Sequence, residues 1–296
     1  MASPTLRHLT VLDEGAGLSV APSAADAKEA ALASWLTRRE RVAIGFSGGV
    51  DSTYLACVAV DTLGPANVLA IIGKSASYPA VQWAAARGVA ERFGIPVLEV
   101  DTHEMDDPRY AANPSNRCYF CKSELWSLLV PIAHGRGITT VIDGTNADDL
   151  AGHRPGAAAA REQAVESPLA DVGLGKAEIR ALSRARDIPS WDQPSSPCLS
   201  SRIPYGTAVT ASRLADVERA EAALRAMGIA GDLRVRHHGE LARVEIGARE
   251  LDAWLANDAS ARNAAAVRGA GFRRVAIDLR GFRSGSLNIL TGVSAG

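Results

Sequence analysis

The stretch RVAIGFSGGVDSTYLA, residues 41–56, decides the fold, because a short apolar strand pattern runs through a glycine turn into a helix pattern. Two signatures overlap in it. Gly45-Phe46-Ser47-Gly48-Gly49 fits the G-x-S-x-G elbow of a serine hydrolase, whereas Ser47-Gly48-Gly49-Val50-Asp51-Ser52 fits a loop that grips pyrophosphate. In the first reading Ser47 attacks a substrate; in the second it holds one. An α/β-hydrolase carries its nucleophile after several strands, with the acid and then the histidine following. Here the motif follows the first strand, and Asp143 and His238 must be forced into the other two roles. The phosphate reading uses more residues. Gly48 and Gly49 lack Cβ atoms and let backbone N–H groups approach an anion, while Ser47 and Ser52 add hydroxyl donors. The helix beginning near Asp51 points its positive end at the same place, and Asp51 can help hold magnesium. A Gly-rich turn with no ligand is the bland alternative. The loop is not of the Walker type: Gly73-Lys74-Ser75 has the right ending, but Val68 stands where the first glycine is required.

Outward from this loop, helical spacing over 25–39 precedes the strand. Further strand patterns follow at 67–73, 95–100 and 139–144, with helical patterns at 51–62, 79–93, 121–134, 156–165 and 175–186. Alternation of this kind predicts an α/β fold with a doubly wound parallel sheet, whose ligands bind at the carboxyl ends of the strands. The loops FSGGVDS, GKSASYP, VDTHEMDD and DGTNADD all sit at such ends, so their functional residues should converge. The Pro- and Ser-rich segment IPSWDQPSSPCLSSRIPYG reads as a connector. Beyond it, a helix at 210–227, a strand–turn–strand in DLRVRHHGELARVEIG, a helix at 247–257 and a strand in FRRVAIDLRG read as a smaller C-terminal α/β domain. The expected organisation is a lead-in over 1–24, a first domain with its connector over 25–206, and a second domain over 207–296.

At 296 residues the chain can bury a sizeable core, and two domains sharing a cleft is the expectation. No apolar run approaches the length of a membrane span, and the N-terminus lacks the apolar core of a signal peptide, so a cytoplasmic enzyme with no membrane partner is expected. A net charge of −1 argues against nucleic acid as partner, because nonspecific phosphate contact needs a basic surplus. The cysteines number 4, and in such a compartment they are expected as thiols or metal ligands rather than disulfides.

Ser47-Gly48-Gly49-Val50-Asp51-Ser52 resembles the signature of the PP-loop ATP pyrophosphatases, which split ATP into AMP and pyrophosphate while adenylating a substrate oxygen. Cys118-Tyr119-Phe120-Cys121 spaces two thiols for one metal, and Cys198 in the connector could fold back over the same cleft. Three thiolates would satisfy three irons of a four-iron cluster and leave one iron open. A redox pair and buried inert thiols are the alternatives, and a closed zinc site would need a fourth ligand. Cys57, inside the helix after the loop, reads as core.

The segments NRCYFCKSELW, DGTNADDLAGHRPG, ESPLADVGLGKAEIRALSR, WDQPSSPCLSSRIPYG, VRHHGELARVEIG and LRGFRSGSLN together resemble the LarE family of ATP-dependent sulfur transferases of nickel-pincer nucleotide biosynthesis. The resemblance runs in unbroken order over 25–290 and implies adenylation, then thiolation, of the carboxylates of pyridinium-3,5-biscarboxylic acid mononucleotide. It implies ATP and Mg2+ as cofactors, a small-molecule mononucleotide substrate, a sulfide source and a homo-oligomer. Two versions of the family differ in that source. In one, the cysteine matching Cys198 gives up its own sulfur. In the other, cysteines matching Cys118, Cys121 and Cys198 hold a 4Fe–4S cluster, and this chain has all three. Another PP-loop enzyme such as a tRNA thiolase is a rival, as is a regulatory protein that senses ATP without turning it over.

Lys74 and Ser75, at a strand end, and Gly144, Thr145 and Asn146, in a strand-end turn, are expected to contact ATP. Asp148 and Asp149 suit either magnesium or a helix cap, and His153 is given no chemistry. Arg234 and Arg236 share one strand face and Arg243 and Glu245 share another. These four suit a substrate phosphate, as the resemblance implies, or equally a solvated charged face. Ser201 and Arg202 could steady the adenylated carboxylate, or be a capping serine and a surface arginine.

Overall fold

The structure is a computed structural model that describes residues 23–151, 155–193, 197–256 and 259–283. Most of the N-terminal lead-in, His153, residues 194–196 of the connector and the end of LRGFRSGSLN lie outside these residues.

A 4-stranded parallel sheet has the order β3-β2-β1-β4. Its strands are β1 (Val42–Gly45), β2 (Val68–Lys74), β3 (Val97–Asp101) and β4 (Thr140–Ile142). Helices α1 (Ala24–Thr37), α2 (Val50–Leu63), α3 (Ala80–Arg92), α4 (Pro108–Ala111), α5 (Arg117–His134), α6 (Pro155–Glu162), α7 (Pro168–Asp171) and α8 (Lys176–Ala185) accompany them. Alternation along the strands sends side chains to two cores. Val42 and Ile44 of β1, with Ala70 and Ile72 of β2, join Leu32, Leu36, Tyr54 and Ile179 on one face. Ala43 and Ile71 join Trp126, Leu129 and Ala160 on the other. Both faces are therefore covered, as a parallel sheet requires. The order places β1 between β2 and β4, so the chain reverses direction of progress beside β1. A crevice at the carboxyl ends of β1 and β4 follows.

Helix α5 begins at Arg117, one turn earlier than the 121–134 pattern suggests. The lead residues Asn116-Arg117-Cys118 are polar and carry no periodic apolar signal. Their N-terminal turn forms because Pro114 O and Asn116 O accept from Arg117 N and Tyr119 N at 3.0 and 2.8 Å. Both cysteines of the C-x-x-C pair thus lie on one helical face.

The C-terminal residues form α9 (Ala211–Ala226), β5 (Leu233–His238), β6 (Leu241–Ile246), α10 (Ala248–Leu255), α11 (Ala259–Gly269) and β7 (Arg274–Ile277). The three strands make one mixed sheet: β5 and β6 pair antiparallel, and β7 adds parallel to β6. Helix α11 has no counterpart in the sequence reading, because its alanine-rich, weakly apolar face shows little periodicity. The core here combines Leu214, Val217, Val235, Val244 and Trp254 with Tyr110, Leu199 and Ile203, and packs on Met105, Phe120 and Cys121. It therefore reaches back across the connector to the start of α5.

Candidate active site

At the end of β1 the chain turns through Gly48, whose φ of +69° is left-handed. A Cβ there would meet the Ala86 Cβ at 2.4 Å, so both conformation and space call for glycine. Ser47 Oγ lies 3.2 Å from Ser52 Oγ and accepts from Gly49 N at 3.4 Å. Ser52 Oγ also donates to Gly49 O at 3.2 Å. Gly49 caps α2 with no side chain, leaving the positive end of that helix open at the loop. Among the described residues no histidine bonds to Ser47 Oγ. Asp143 is occupied by Thr145 N, Thr145 Oγ1 and Ser167 Oγ. The nucleophile-elbow reading therefore fails.

The turn after β4 packs directly on this loop. A Cβ on Gly144 would come within 2.9 Å of Ser52 N. Asn146, 2% exposed, donates to Asp51 Oδ1 at 3.4 Å and accepts from the Asp148 and Asp149 N–H groups at 3.0 and 3.2 Å. Asp51 is further held by Lys176, whose ammonium donates to Oδ2 at 2.5 Å. The Lys176 N–H donates to Asp148 Oδ2 at 2.7 Å, so Asp148 caps α8 rather than the helix that follows it in sequence. Lys176 did not stand out in the sequence, although its place at the first position of a strongly amphipathic helix was a signal.

Lys74 and Ser75 make contacts with neighbouring side chains. Lys74 pairs with Glu99 at 3.3 Å and lies 5.1 Å from the Trp83 ring. Ser75 Oγ is 2.9 Å from Ser77 Oγ, which donates to the buried Glu104 at 3.0 Å. The same segment joins the loop to the connector. Tyr78 donates its hydroxyl to Ser47 O at 2.9 Å, and Ser77 O accepts from Leu199 N, next to Cys198, at 2.8 Å.

Cys118, Cys121 and Cys198 are all free thiols. They influence one another across the start of α5. Cys118 is surface-exposed as a residue, but the protein packed around its sulfur, and then Cys198, push the thiol up, while Arg117 and Lys122 draw it down. Burial, Cys198, Glu104 and Cys118 push Cys121 further up, against the pull of Lys122. Arg117, 4% exposed, was missed by sequence reasoning despite preceding the first cysteine. Burial disfavours its charge, but Cys198, Cys118, Tyr110 and Tyr205 more than offset this and raise it. Among the described residues no three His, Cys, Asp or Glu side chains gather as ligands for a metal ion. Cys57 is remote in role: burial first, then Asp61, pushes it up to about 12.

The arginine face is buried. Arg234 stands opposite Glu245, and Arg236 opposite Arg243, in the antiparallel register, so all four share one side of the sheet. Glu245, 1% exposed, accepts from Arg236 Nη2 at 2.8 Å and Arg243 Nη2 at 2.7 Å. Arg236 also donates to Ser201 O at 2.8 Å. Arg202 is 1% exposed, so it is not a surface arginine. It forks onto Glu221 at 2.9 and 3.0 Å and donates to Cys198 O and Ser201 Oγ, each at 3.1 Å. Burial, then Arg202, lowers Arg234 to about 10, against the pull of Glu221. Glu221 also receives Val235 N at 2.9 Å. One ion network thus links the cysteine connector to the β5–β6 hairpin.

The NAD synthase family profile matches residues 33–115, the stretch that contains the glycine loop. The chain is 43% identical over 249 residues to an uncharacterized protein of Synechocystis, covering 84% of this chain and 92% of that one. It is 28% identical over 251 residues to an uncharacterized protein of Methanocaldococcus jannaschii, covering 83% and 92%. Over 262 residues it is 35% identical to the pyridinium-3,5-bisthiocarboxylic acid mononucleotide synthase of Lactiplantibacillus plantarum, covering 88% of this chain and 94% of that one. With a glycine loop at the switch point of a parallel sheet and this match over most of its length, the chain belongs to the LarE family.

Proposed function

We propose that this protein is an ATP-dependent sulfur transferase that adenylates the carboxylates of pyridinium-3,5-biscarboxylic acid mononucleotide and converts them to thiocarboxylates for a nickel-pincer nucleotide cofactor. One observation carries the reading: Ser77 and Tyr78 tie the glycine loop to the cysteine connector through two hydrogen bonds, at 2.8 and 2.9 Å. Adenylation and sulfur delivery can therefore share one cleft. In the first step a substrate carboxylate oxygen attacks the α-phosphorus of ATP, the bond to the β-phosphate breaks, and pyrophosphate leaves. The Ser47, Gly48 and Gly49 backbone, the Ser47 and Ser52 hydroxyls and the α2 terminus receive the phosphate oxygens, exchanging the long contacts they make with one another for charge-assisted ones. Lys176, ion-paired with Asp51, lies beside the loop and would be released as a cation when Asp51 turns to magnesium. The hard carboxylate of Asp51 is the group that would hold magnesium. In the second step a sulfur anion attacks the acyl carbon, AMP leaves with the bonding pair, and the thiocarboxylate remains. Carboxylate oxygen is a poor leaving group, which is why AMP must be attached first.

By donor chemistry, Cys118, Cys121 and Cys198 would supply the three thiolates of a cluster with one open iron. When bound, the cluster supplies an iron on which an extra sulfide can ride, so that the chain turns over rather than being consumed. Residues 25–206 are the adenylating unit and 207–296 the substrate unit. In the latter Arg234, Arg236 and Arg243, with Arg202, form a cationic face suited to the mononucleotide phosphate, and Ser201 stands between that face and Cys198. The phosphorylated, charged reactants suit a cytoplasmic enzyme.

The test is anaerobic turnover with ATP, the mononucleotide and sulfide. Pyrophosphate and AMP should appear in step with thiocarboxylate, in a brown protein with about four irons per chain. ATP breakdown that ignores the mononucleotide would overturn the reading. Loss of the mass of hydrogen sulfide from Cys198 would instead favour the self-consuming route.

A further inference from the structure

We infer that Glu104 is a positioning residue that couples adenylation to sulfur transfer, a role that rests on the reading above. It fixes the turn 75–78, which holds the glycine loop on one side and the connector that carries Cys198 on the other. Glu104 lies in the short turn Glu104–Asp106 after β3 and is 2% exposed. Its Oε1 accepts from Ser77 Oγ at 3.0 Å and its Oε2 from Thr102 Oγ1 at 2.7 Å. Among the described residues no Lys, Arg or His pairs with it, whereas Glu221 and the buried Glu245 each have an arginine. A buried carboxyl group with no cation is costly, and an apolar side chain of similar volume is commonly as stable or more so. Neither hydroxyl depends on Glu104 for an acceptor. Thr102 Oγ1 also donates to Lys74 O at 3.2 Å, and Ser77 Oγ could turn back to Ser75 Oγ, 2.9 Å away. Stability therefore does not account for the carboxyl group, whereas the position it imposes does.

What it fixes is Ser77, 4% exposed, every polar atom of which is engaged. A hydroxyl has one proton, and Ser77 gives its own to Glu104, so it accepts from Ser75 Oγ. Its N–H donates to Ser75 Oγ at 3.1 Å, and its carbonyl accepts from Leu199 N at 2.8 Å. The next residue, Tyr78, donates to Ser47 O in the glycine loop at 2.9 Å. Two adjacent residues thus reach the ATP loop and the residue after Cys198, and Glu104 sets their orientation from the end of β3. With the turn held, the adenylated carboxylate stays beside the sulfur donor. With the turn loose, the connector drifts from it and solvent arrives first. Water then attacks the acyl carbon, AMP leaves with the bonding pair, protons are released, and the original carboxylate returns with one ATP consumed.

The experiment follows AMP and thiocarboxylate together in the full-length protein at saturating ATP, mononucleotide and sulfide. Glu104→Leu should raise the AMP formed per thiocarboxylate about tenfold, the effect of one lost buried hydrogen bond, with mononucleotide-dependent pyrophosphate release within about twofold of wild type. Glu104→Gln, whose amide can accept from one hydroxyl and donate to the other, should restore most of the coupling. A second measurement uses the iron-free protein. Iodoacetamide should modify Cys198 severalfold faster in Glu104→Leu than in wild type, while the buried Cys57 stays protected in both. Should Glu104→Leu fail to fold, seen as rapid labelling of Cys57, Ser77→Ala removes the hydroxyl, keeps the carbonyl and carries both measurements. An unchanged ratio of AMP to thiocarboxylate, or unchanged labelling of Cys198, in a variant that keeps Cys57 protected overturns the inference. A structural role alone would lower both products by one factor and leave their ratio as it was. Absence of mononucleotide-dependent pyrophosphate release in the wild type removes the proposed function instead, and the labelling of Cys198 then decides by itself whether Glu104 positions the connector.

Discussion

The neighbouring glycines of the loop make opposite demands, and replacing each by alanine separates shape from sequence pattern. At Gly48 the backbone sits at φ +69°, where an added Cβ would overlap the Ala86 Cβ at 2.4 Å and its Cα at 2.8 Å. Left-handed backbone costs an L-residue about 1–2 kcal/mol, and overpacking against a helix backbone about 1–3 kcal/mol more. Gly48→Ala should therefore lose roughly 2–5 kcal/mol, unless the loop moves off α3 and spares the fold by abandoning its shape. At Gly49, with φ −69°, an added Cβ meets only Ser47 Oγ at 3.5 Å, an ordinary contact. Gly49→Ala should change stability by less than about 1 kcal/mol, set by its weaker capping preference. Urea denaturation of both variants measures the first difference, and equilibrium binding of a nonhydrolysable ATP analogue the second. Gly48→Ala should weaken ATP binding at least tenfold whichever way the strain resolves. Equal stability and equal ATP affinity in Gly48→Ala and wild type would refute the account of the loop.

Three further outcomes are expected. Glu245→Gln removes the carboxylate shared by the buried Arg236 and the half-buried Arg243 and should lower stability by about 3 kcal/mol, read as a drop in melting temperature, together with a raised KM for the mononucleotide. Cys118→Ala and Cys121→Ala should each abolish iron uptake under anaerobic reconstitution, read by absorbance and iron analysis; retained iron would remove the residue from the cluster. Cys57, with its thiol raised from 9.0 to about 12, should resist alkylation in the folded protein at pH 9 and react only on unfolding. Because its folded value lies above its unfolded one, its contribution to stability is complete below pH 9 and is lost between pH 9 and 12, measurable as a pH-dependent melting temperature.

The parallel sheet was legible because its signal is local: apolar runs of four to seven residues between helical patterns, each ending in a loop of small and polar residues. The glycine loop was legible for the same reason, since Gly48 and Ser52 lie within one turn of the same helix. Ambiguity about Ser47 could not be resolved locally, because it turned on whether a distant histidine came within reach. Arg234, Arg236, Arg243 and Glu245 read equally well as a solvated face, since alternation on a strand gives the side of the sheet and not what covers it. The cover is the connector, through Ser201 O, together with Glu221 of α9, which holds Arg202, and no periodicity encodes that. Lys74, expected near ATP from its place at a strand end, pairs with Glu99 and lies over the Trp83 ring.

The connector explains why a chain with so little regular structure between α8 and α9 can hold a reactive site in place. Residues 197–207 have only one short turn of their own, Leu199–Arg202, yet they are fixed from every neighbouring unit. Ser77 O holds Leu199 from the ATP side, Tyr110 holds Ser200 at 2.6 Å, Asn113 holds Ile203, Pro204 and Thr207, and Glu221 holds Arg202 from α9. Each anchor is a polar group satisfied within the protein, so the segment is ordered by hydrogen bonds rather than by a core of its own. That choice has a chemical consequence. A helix or strand would hold the backbone around Cys198 in a regular ladder, whereas an irregular segment pinned at several points presents its carbonyls to Arg202 and Arg117 and leaves Cys198 half-buried. Loosening one anchor should therefore disturb sulfur delivery before it disturbs folding. Tyr110→Phe removes a single hydroxyl and keeps the ring in the core, so it should lower kcat for thiocarboxylate formation severalfold while costing about 1 kcal/mol of stability. An unaltered kcat in that variant would mean that the connector is held by packing alone.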